Sequence, residues 1–121
     1  MVNFGFDTYI HQMKDNLKYN YKEFLAFILL YISHVDLEFS DEEKAKIKKM
    51  LPEEDYNMVY EDFMNMNDFQ ALQTILSYKG IYYPTPEQKA EIEEKLKLQL
   101  FADGHIDSME QEILHFLDKL M

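Results

Sequence analysis

The sequence predicts an all-α protein, a compact bundle of about seven short helices in one domain spanning residues 1–121. Three observations carry that expectation. Apolar residues recur three and four positions apart almost throughout, which is the spacing of one helix face. Strict alternation of apolar and polar residues, the mark of a half-buried strand, is rare. Only three Gly and three Pro occur, and they fall where helices would start or stop. The apolar supply is ample: 47% hydrophobic, with nine Phe, nine Tyr and eight Met. A chain of this length buries about two thirds of its unfolded surface, enough for a core without staples.

The elements follow from the spacing. A first helix is expected near residues 6–18, with Phe6, Ile10, Met13 and Leu17 on one face. A second is expected from about Tyr21 to Val35. Its stretch Phe24-Leu25-Ala26-Phe27-Ile28-Leu29-Leu30 is apolar nearly all round, so it should be the central helix. Ser40 caps a third, with Glu43 reaching back as in a capping box, and with Ile47, Met50 and Leu51 inward. Pro52 ends it and opens a fourth as its first helical residue, with Tyr56, Val59, Tyr60 and Phe63 lining the buried face. A break at Asn65–Asp68 precedes a fifth, carrying Phe69, Leu72, Ile75 and Leu76. Lys79–Pro84 reads as a loop. Thr85-Pro86-Glu87-Gln88 is a second capping box, opening a helix to about Ala102 with Ile92, Leu96 and Leu100 inward. Gly104 suits a left-handed stop. Asp107 caps the last helix, which buries Ile113, Leu114, Leu117 and Leu120. Phe27, Leu30, Ile47, Phe63, Leu72, Leu96, Ile106 and Leu117 are the expected core.

Charge limits the partners. The net charge is −11, and every one of the twelve basic residues is Lys. Without Arg there is no bidentate fork for phosphate or guanine, and the acidity opposes nucleic acid and anionic membranes. The acidity is uneven: residues 1–35 are neutral, residues 36–70 carry eleven acids against four lysines, and residues 71–121 carry nine against five. The absence of Cys excludes disulfides and thiolate metal sites. No stretch reads as a targeting segment, and the most apolar run, Phe24–Ile32, is too short to span a bilayer. A cytoplasmic protein without membrane insertion is the expectation.

Two segments match at a fixed offset of 67 residues. In each an Asp is followed after two residues by an apolar residue, then a cap, two residues and a Glu. The first copy is Asp36, Phe39, Ser40 and Glu43; the second is Asp103, Ile106, Asp107 and Glu110. Downstream, Ile47 matches Leu114 and Met50 matches Leu117. One reading is purely architectural: turn Asp, core plug and capping Glu. The other is a cation site. Asp103-Gly104-His105-Ile106-Asp107 with Glu110 has the spacing of the later part of an EF-hand loop, but Gln99 and Phe101 stand where its first ligands belong. A true EF-hand is therefore excluded. Four carboxylates from two adjacent loops could instead hold Ca²⁺, Mg²⁺ or Mn²⁺, with Glu38, Asp107, His105 and His34 as further donors.

The paired pattern, and above all Ala102-Asp103-Gly104-His105-Ile106-Asp107-Ser108-Met109-Glu110, resembles the tellurite-resistance TerB-like family. The resemblance implies a helical fold with a helix–turn–helix pseudo-repeat and an association with stress or tellurite resistance. It also implies a metal-binding acidic face, carried over here onto Asp36, Glu43, Asp103 and Glu110. Leu37 departs from the pattern, standing where the second copy has Gly104; a Leu resists the left-handed backbone that Gly adopts, so the two turns should differ.

No phosphate loop, dinucleotide-binding glycine pattern, zinc-protease helix or nucleophile elbow is present, so no enzyme is expected. The alternative function is a protein-interaction module. Tyr78, Tyr82 and Tyr83, with Phe63-Met64-Asn65-Met66, would supply either an aromatic, Met-rich binding face or core packing. A third option, mimicry of nucleic acid by the acidic face, is weakened by the lysines interspersed over residues 44–49.

Overall fold

A computed structural model describes residues 18–36, 40–100 and 108–121; within the helices it leaves the side chains of Leu100 and Ser108–Glu110 undescribed. The described residues form six helices of eight residues or more and one single helical turn, with no strand among them. They are α1 (Tyr21–Val35), α2 (Asp41–Lys48), α3 (Glu53–Met64), α4 (Asp68–Ser77), the turn α5 (Lys79–Tyr82), α6 (Pro86–Leu100) and α7 (Ser108–Leu120). The helix expected over residues 6–18 lies outside the described residues, except for Lys18.

The all-round apolar run makes α1 the centre. Ten consecutive residues, Glu23 to Ile32, are buried. Helix α3 packs most extensively against α1, with α4, α2 and α6 around the rest of it. Helices this short are marginal alone, so burial against α1 supplies most of their stability. Each partner contributes few fully buried residues: Ile47 from α2, Val59 and Phe63 from α3, Ala71 and Ile75 from α4, Ile92 and Leu96 from α6. The last helix, α7, adds Ile113, Leu114 and Leu117.

The helix starts are chemically explicit. Asn20 Oδ1 accepts from the Glu23 N–H, and Glu23 Oε1 accepts from the Asn20 N–H, both at 2.8 Å. That reciprocal box explains why an acid is tolerated at 7% exposure. Asn67 and Gln70 repeat the arrangement at α4. At α2 the Ser40 Oγ accepts from the Glu43 N–H (3.1 Å) and donates to Glu43 Oε1 (3.0 Å). Thr85 Oγ1 accepts from the Gln88 N–H (3.2 Å), and Pro86 is the first residue of α6, as expected.

Several expectations are corrected, among them Tyr60, expected on the buried face of α3 but 44% exposed. Pro52 is the N-cap of α3, one residue before its first helical position. The predicted Lys79–Pro84 loop contains a helical turn, because Tyr78 and Tyr83 on either side of it are buried at 2% and 1% exposure and hold the chain close to the core. Phe69 is 67% exposed: Ala71 and Ile75 define the inward face of α4, and Phe69 falls off it. Leu120, at 39% exposure, likewise leaves the face defined by Ile113 and Leu117. Of the expected core, Leu72 is only partly buried and Ile106 lies outside the described residues.

An aromatic lattice ties the segment before α1 to the far side of the bundle. Tyr78 stacks on Tyr19 and packs against Phe24, with ring centroids 5.9 and 4.8 Å apart. Its hydroxyl accepts from the Tyr19 N–H (2.9 Å), while Tyr82 donates to the Tyr19 carbonyl (2.6 Å). Tyr83 donates to the Ile75 carbonyl (2.8 Å), and Tyr19 donates to Asp62 Oδ2 (2.8 Å). Each buried ring thus keeps a partner for its polar end. Burial holds the Tyr19 and Tyr78 phenols above their ordinary range and pushes Tyr83 up to about 12. The three tyrosines considered as a binding face are therefore core and strut.

Candidate functional site

Three helices each turn one stripe toward a shared groove. Leu30, Ser33 and His34 of α1 are spaced i, i+3, i+4, and Asp36 follows at the helix end. Lys44, Ile47 and Lys48 of α2 have the same spacing. On α3 the stripe is Tyr56, Tyr60, Phe63 and Met64, with Asn57 beside it. The enclosed volume is about 660 Å³, within the range of binding clefts, roughly 300–1,000 Å³.

The groove exists because α2 is a poor core helix. Ile47 is its one buried residue, and a lysine flanks it on the turn before and beside it. Two ammonium groups cannot follow Ile47 into the core, so α2 touches α1 along a narrow line and stands off from α3. Helix α3 has the opposite property, carrying two apolar stripes. Val59 and Phe63 satisfy the core, which leaves Tyr60 at 44% and Met64 at 58% exposure. The Tyr56 and Tyr60 rings stack at 5.8 Å along the outer wall. His34 packs edge-on to Phe63 at 5.7 Å, and its Nε2 lies 3.2 Å from Asp68 Oδ1.

The proposed carboxylate quartet is only half within the described residues. Asp36 is the C-cap of α1, its N–H bonded to the Ile32 carbonyl (2.9 Å), and its side chain is 2% exposed at the edge of the groove. Glu43 is the third residue of α2, with one carboxylate oxygen on Ser40 and the other, Oε2, buried without a hydrogen-bond partner. Asp103 and the side chain of Glu110 lie outside the described residues, as do Glu38, His105 and Asp107. The helix–turn–helix pseudo-repeat depends on those same residues. Among the described residues no group of three or more His, Asp or Glu side chains is arranged to hold a metal ion. His34, a suggested extra donor, is engaged with Asp68.

A second cluster sits between α6 and α7. Lys89 Nζ donates to the Asp118 carbonyl (2.7 Å) and pairs with Asp118 Oδ1 (3.2 Å). Glu93, one turn along α6, meets the same Asp118. Partial burial and the hydrogen bond to Asp118 raise the Glu93 carboxyl to about 7, while that bond and Lys89 hold Asp118 below its ordinary range. Below about pH 7 the arrangement favours a proton on Glu93 rather than on Asp118. Lys89 and Glu93 are visible in the sequence as an i, i+4 pair, but Asp118 lies 25 residues further on, with no local signal linking it to them. A smaller cavity of about 360 Å³ lies between α1 and α6, walled by Leu25, Leu29, Met50, Lys95 and Leu98.

No protein-family model matches the chain, and neither the characterised proteins nor the solved structures include a match. Among the described residues no helix is long and apolar enough to cross a membrane.

Proposed function

We propose that this chain is a non-enzymatic, cytoplasmic protein-interaction module whose binding surface is the α1–α2–α3 groove. One observation carries the reading: a binding-sized groove floored by Phe63 and Leu30 and edged by the exposed side chains of Tyr60 and Met64. Tyr and Met are favoured at interfaces because they present large, adaptable contact area. Selection of peptides from a random displayed library against the immobilised protein tests it. Selected peptides should lose binding to a Tyr60→Ser/Met64→Ser double variant and keep it with Phe116→Ser, a change on the exposed side of α7. Loss with both variants, or with neither, would remove the groove from the account.

The divalent-cation reading that follows from the TerB-like resemblance is retained as a second proposal, on one specific observation: the buried, unbonded Oε2 of Glu43 beside the α1–α2 turn. A cation that binds only the native state at a hundredfold excess over its Kd stabilises by about 2.7 kcal/mol. Melting should then rise by several degrees with Ca²⁺, Mg²⁺ or Mn²⁺, and the rise should shrink in Asp36→Asn and Asp103→Asn variants. A melting temperature unmoved by millimolar amounts of all three would end this reading.

A further inference from the structure

Resting on the groove reading above, we propose that the groove's partner is a peptide segment that is acidic as well as apolar. The charge of its walls is the reason. The chain as a whole carries −11, yet the groove is lined by Lys44 and Lys48 against the single carboxylate of Asp36, and His34 is already held by Asp68. The two lysines stand one turn apart on α2, so an occupant's carboxylate placed between them meets both ammonium groups. Lys18, Lys89 and Lys95 each find a carboxylate in their own chain. Among the described residues Lys44 and Lys48 join no ion pair, as is also true of Lys22, Lys46, Lys49, Lys79, Lys97 and Lys119; what sets the two apart is that both line the groove. Lys48 has a local role, since it sits in the last turn of α2 where a cation favours the helix dipole. Lys44 is the fourth residue of that eight-residue helix and has no such role.

Selectivity follows from the same arrangement. A strongly acidic protein attracts basic partners over most of its surface, without discrimination. At this groove a basic segment meets two like charges, which disfavours it on contact. An acidic segment is repelled from afar, but charges more than about 8 Å away are largely screened at physiological ionic strength. At contact it meets the lysines, while its apolar residues cover Tyr60 and Met64. The groove thus discriminates against the partners that net charge alone would collect.

Three dye-labelled synthetic peptides test this, with identical Leu and Phe positions and with Glu, Gln or Lys at the intervening ones. Binding is read by fluorescence anisotropy at physiological salt. The Glu peptide should bind about tenfold more tightly than the Gln peptide, the effect of two partly desolvated charge-assisted contacts. Lys44→Gln/Lys48→Gln should bring it to the level of the Gln peptide, and Tyr60→Ser/Met64→Ser should weaken all three. All four positions are solvent-facing or on the groove rim, and circular dichroism checks that each variant keeps its helix content. A Lys peptide that binds as well as the Glu peptide, or a Glu preference that survives loss of both lysines, overturns the charge inference. It leaves the groove reading standing if binding still depends on Tyr60 and Met64. Binding independent of those two residues, or none at all, overturns both. A concentration-dependent dimer abolished by Tyr60→Ser/Met64→Ser would put a second copy in the groove and overturn the peptide assignment.

Discussion

Replacing Glu93 by Gln should stabilise the protein at neutral and higher pH and leave it unchanged near pH 4.5. In the folded state the Glu93 carboxyl titrates at about 7, against an ordinary value of 4.5. The native state therefore holds a proton that the unfolded chain releases between those values. Stability must fall as pH rises from about 4.5 through 7, because the folded form alone must be deprotonated against burial and the charge on Asp118. Taken whole, a shift of that size corresponds to about 3.4 kcal/mol at roughly 1.36 kcal/mol per pH unit. Glu93 is only partly buried, and solvent screens such sites strongly, which reduces the figure to about 1–2 kcal/mol. Asp118 shifts the opposite way, so its contribution is present above its ordinary range and lost in acid, outside this window. Gln presents an amide N–H to Asp118 where the protonated carboxyl presented its O–H, and it does not ionise. The expected gain at pH 8 is about 1 kcal/mol, or roughly 3–5 °C in Tm for a domain of this size. Thermal melts of parent and variant from pH 4.5 to 8.5 read this as a difference that opens with pH. A variant less stable than its parent at pH 8, or a difference constant across the range, would refute the shared proton.

Tyr78→Phe should cost about 1–3 kcal/mol in chemical denaturation, because it leaves the buried Tyr19 N–H without its acceptor while keeping the ring stack; a loss below about 0.3 kcal/mol would contradict the strut role. Phe24→Ala, at a side chain with 0% exposure that packs on Tyr78, Tyr82 and Tyr83, should cost about 3–5 kcal/mol. Asn20→Ala should cost about 1 kcal/mol through loss of the reciprocal cap with Glu23, and Asn20→Asp considerably less.

The helices were legible where the signal was local. The apolar run from Phe24 marks α1 as the central helix, and Thr85-Pro86 marks the start of α6. The single turn Lys79–Tyr82 was not legible, because Gly80 and the following Pro84 argue for a loop, whereas burial of Tyr78 and Tyr83 decides the conformation. Phe69 departs from its expected place for a related reason: a large apolar side chain outweighs the small Ala71 in any periodicity count, but it is Ala71 that is buried, at 1% exposure, against 67% for Phe69. The groove was half visible. Lys44, Ile47 and Lys48 already describe a helix too thinly apolar to close over its neighbour. Tyr56, Tyr60 and Met64 form a second apolar stripe on α3 beyond the one that Val59 and Phe63 need. That these two stripes face each other depends on how α2 and α3 lie on α1, which no spacing within either helix encodes. Of the carboxylates chosen from the repeat, Asp36 reaches the groove edge, while Glu43 serves the cap of α2.

The central claim is that binding occurs in the α1–α2–α3 groove, and the methionine methyl groups test it most directly. Met64 lies in that groove, Met50 in the cavity between α1 and α6, and Met121 is buried at 5% exposure. With ¹³C-methyl methionine, addition of the Glu-containing peptide should shift the Met64 resonance saturably and leave Met50 and Met121 in place. A saturable shift at Met50 or Met121 with Met64 unmoved would contradict the account.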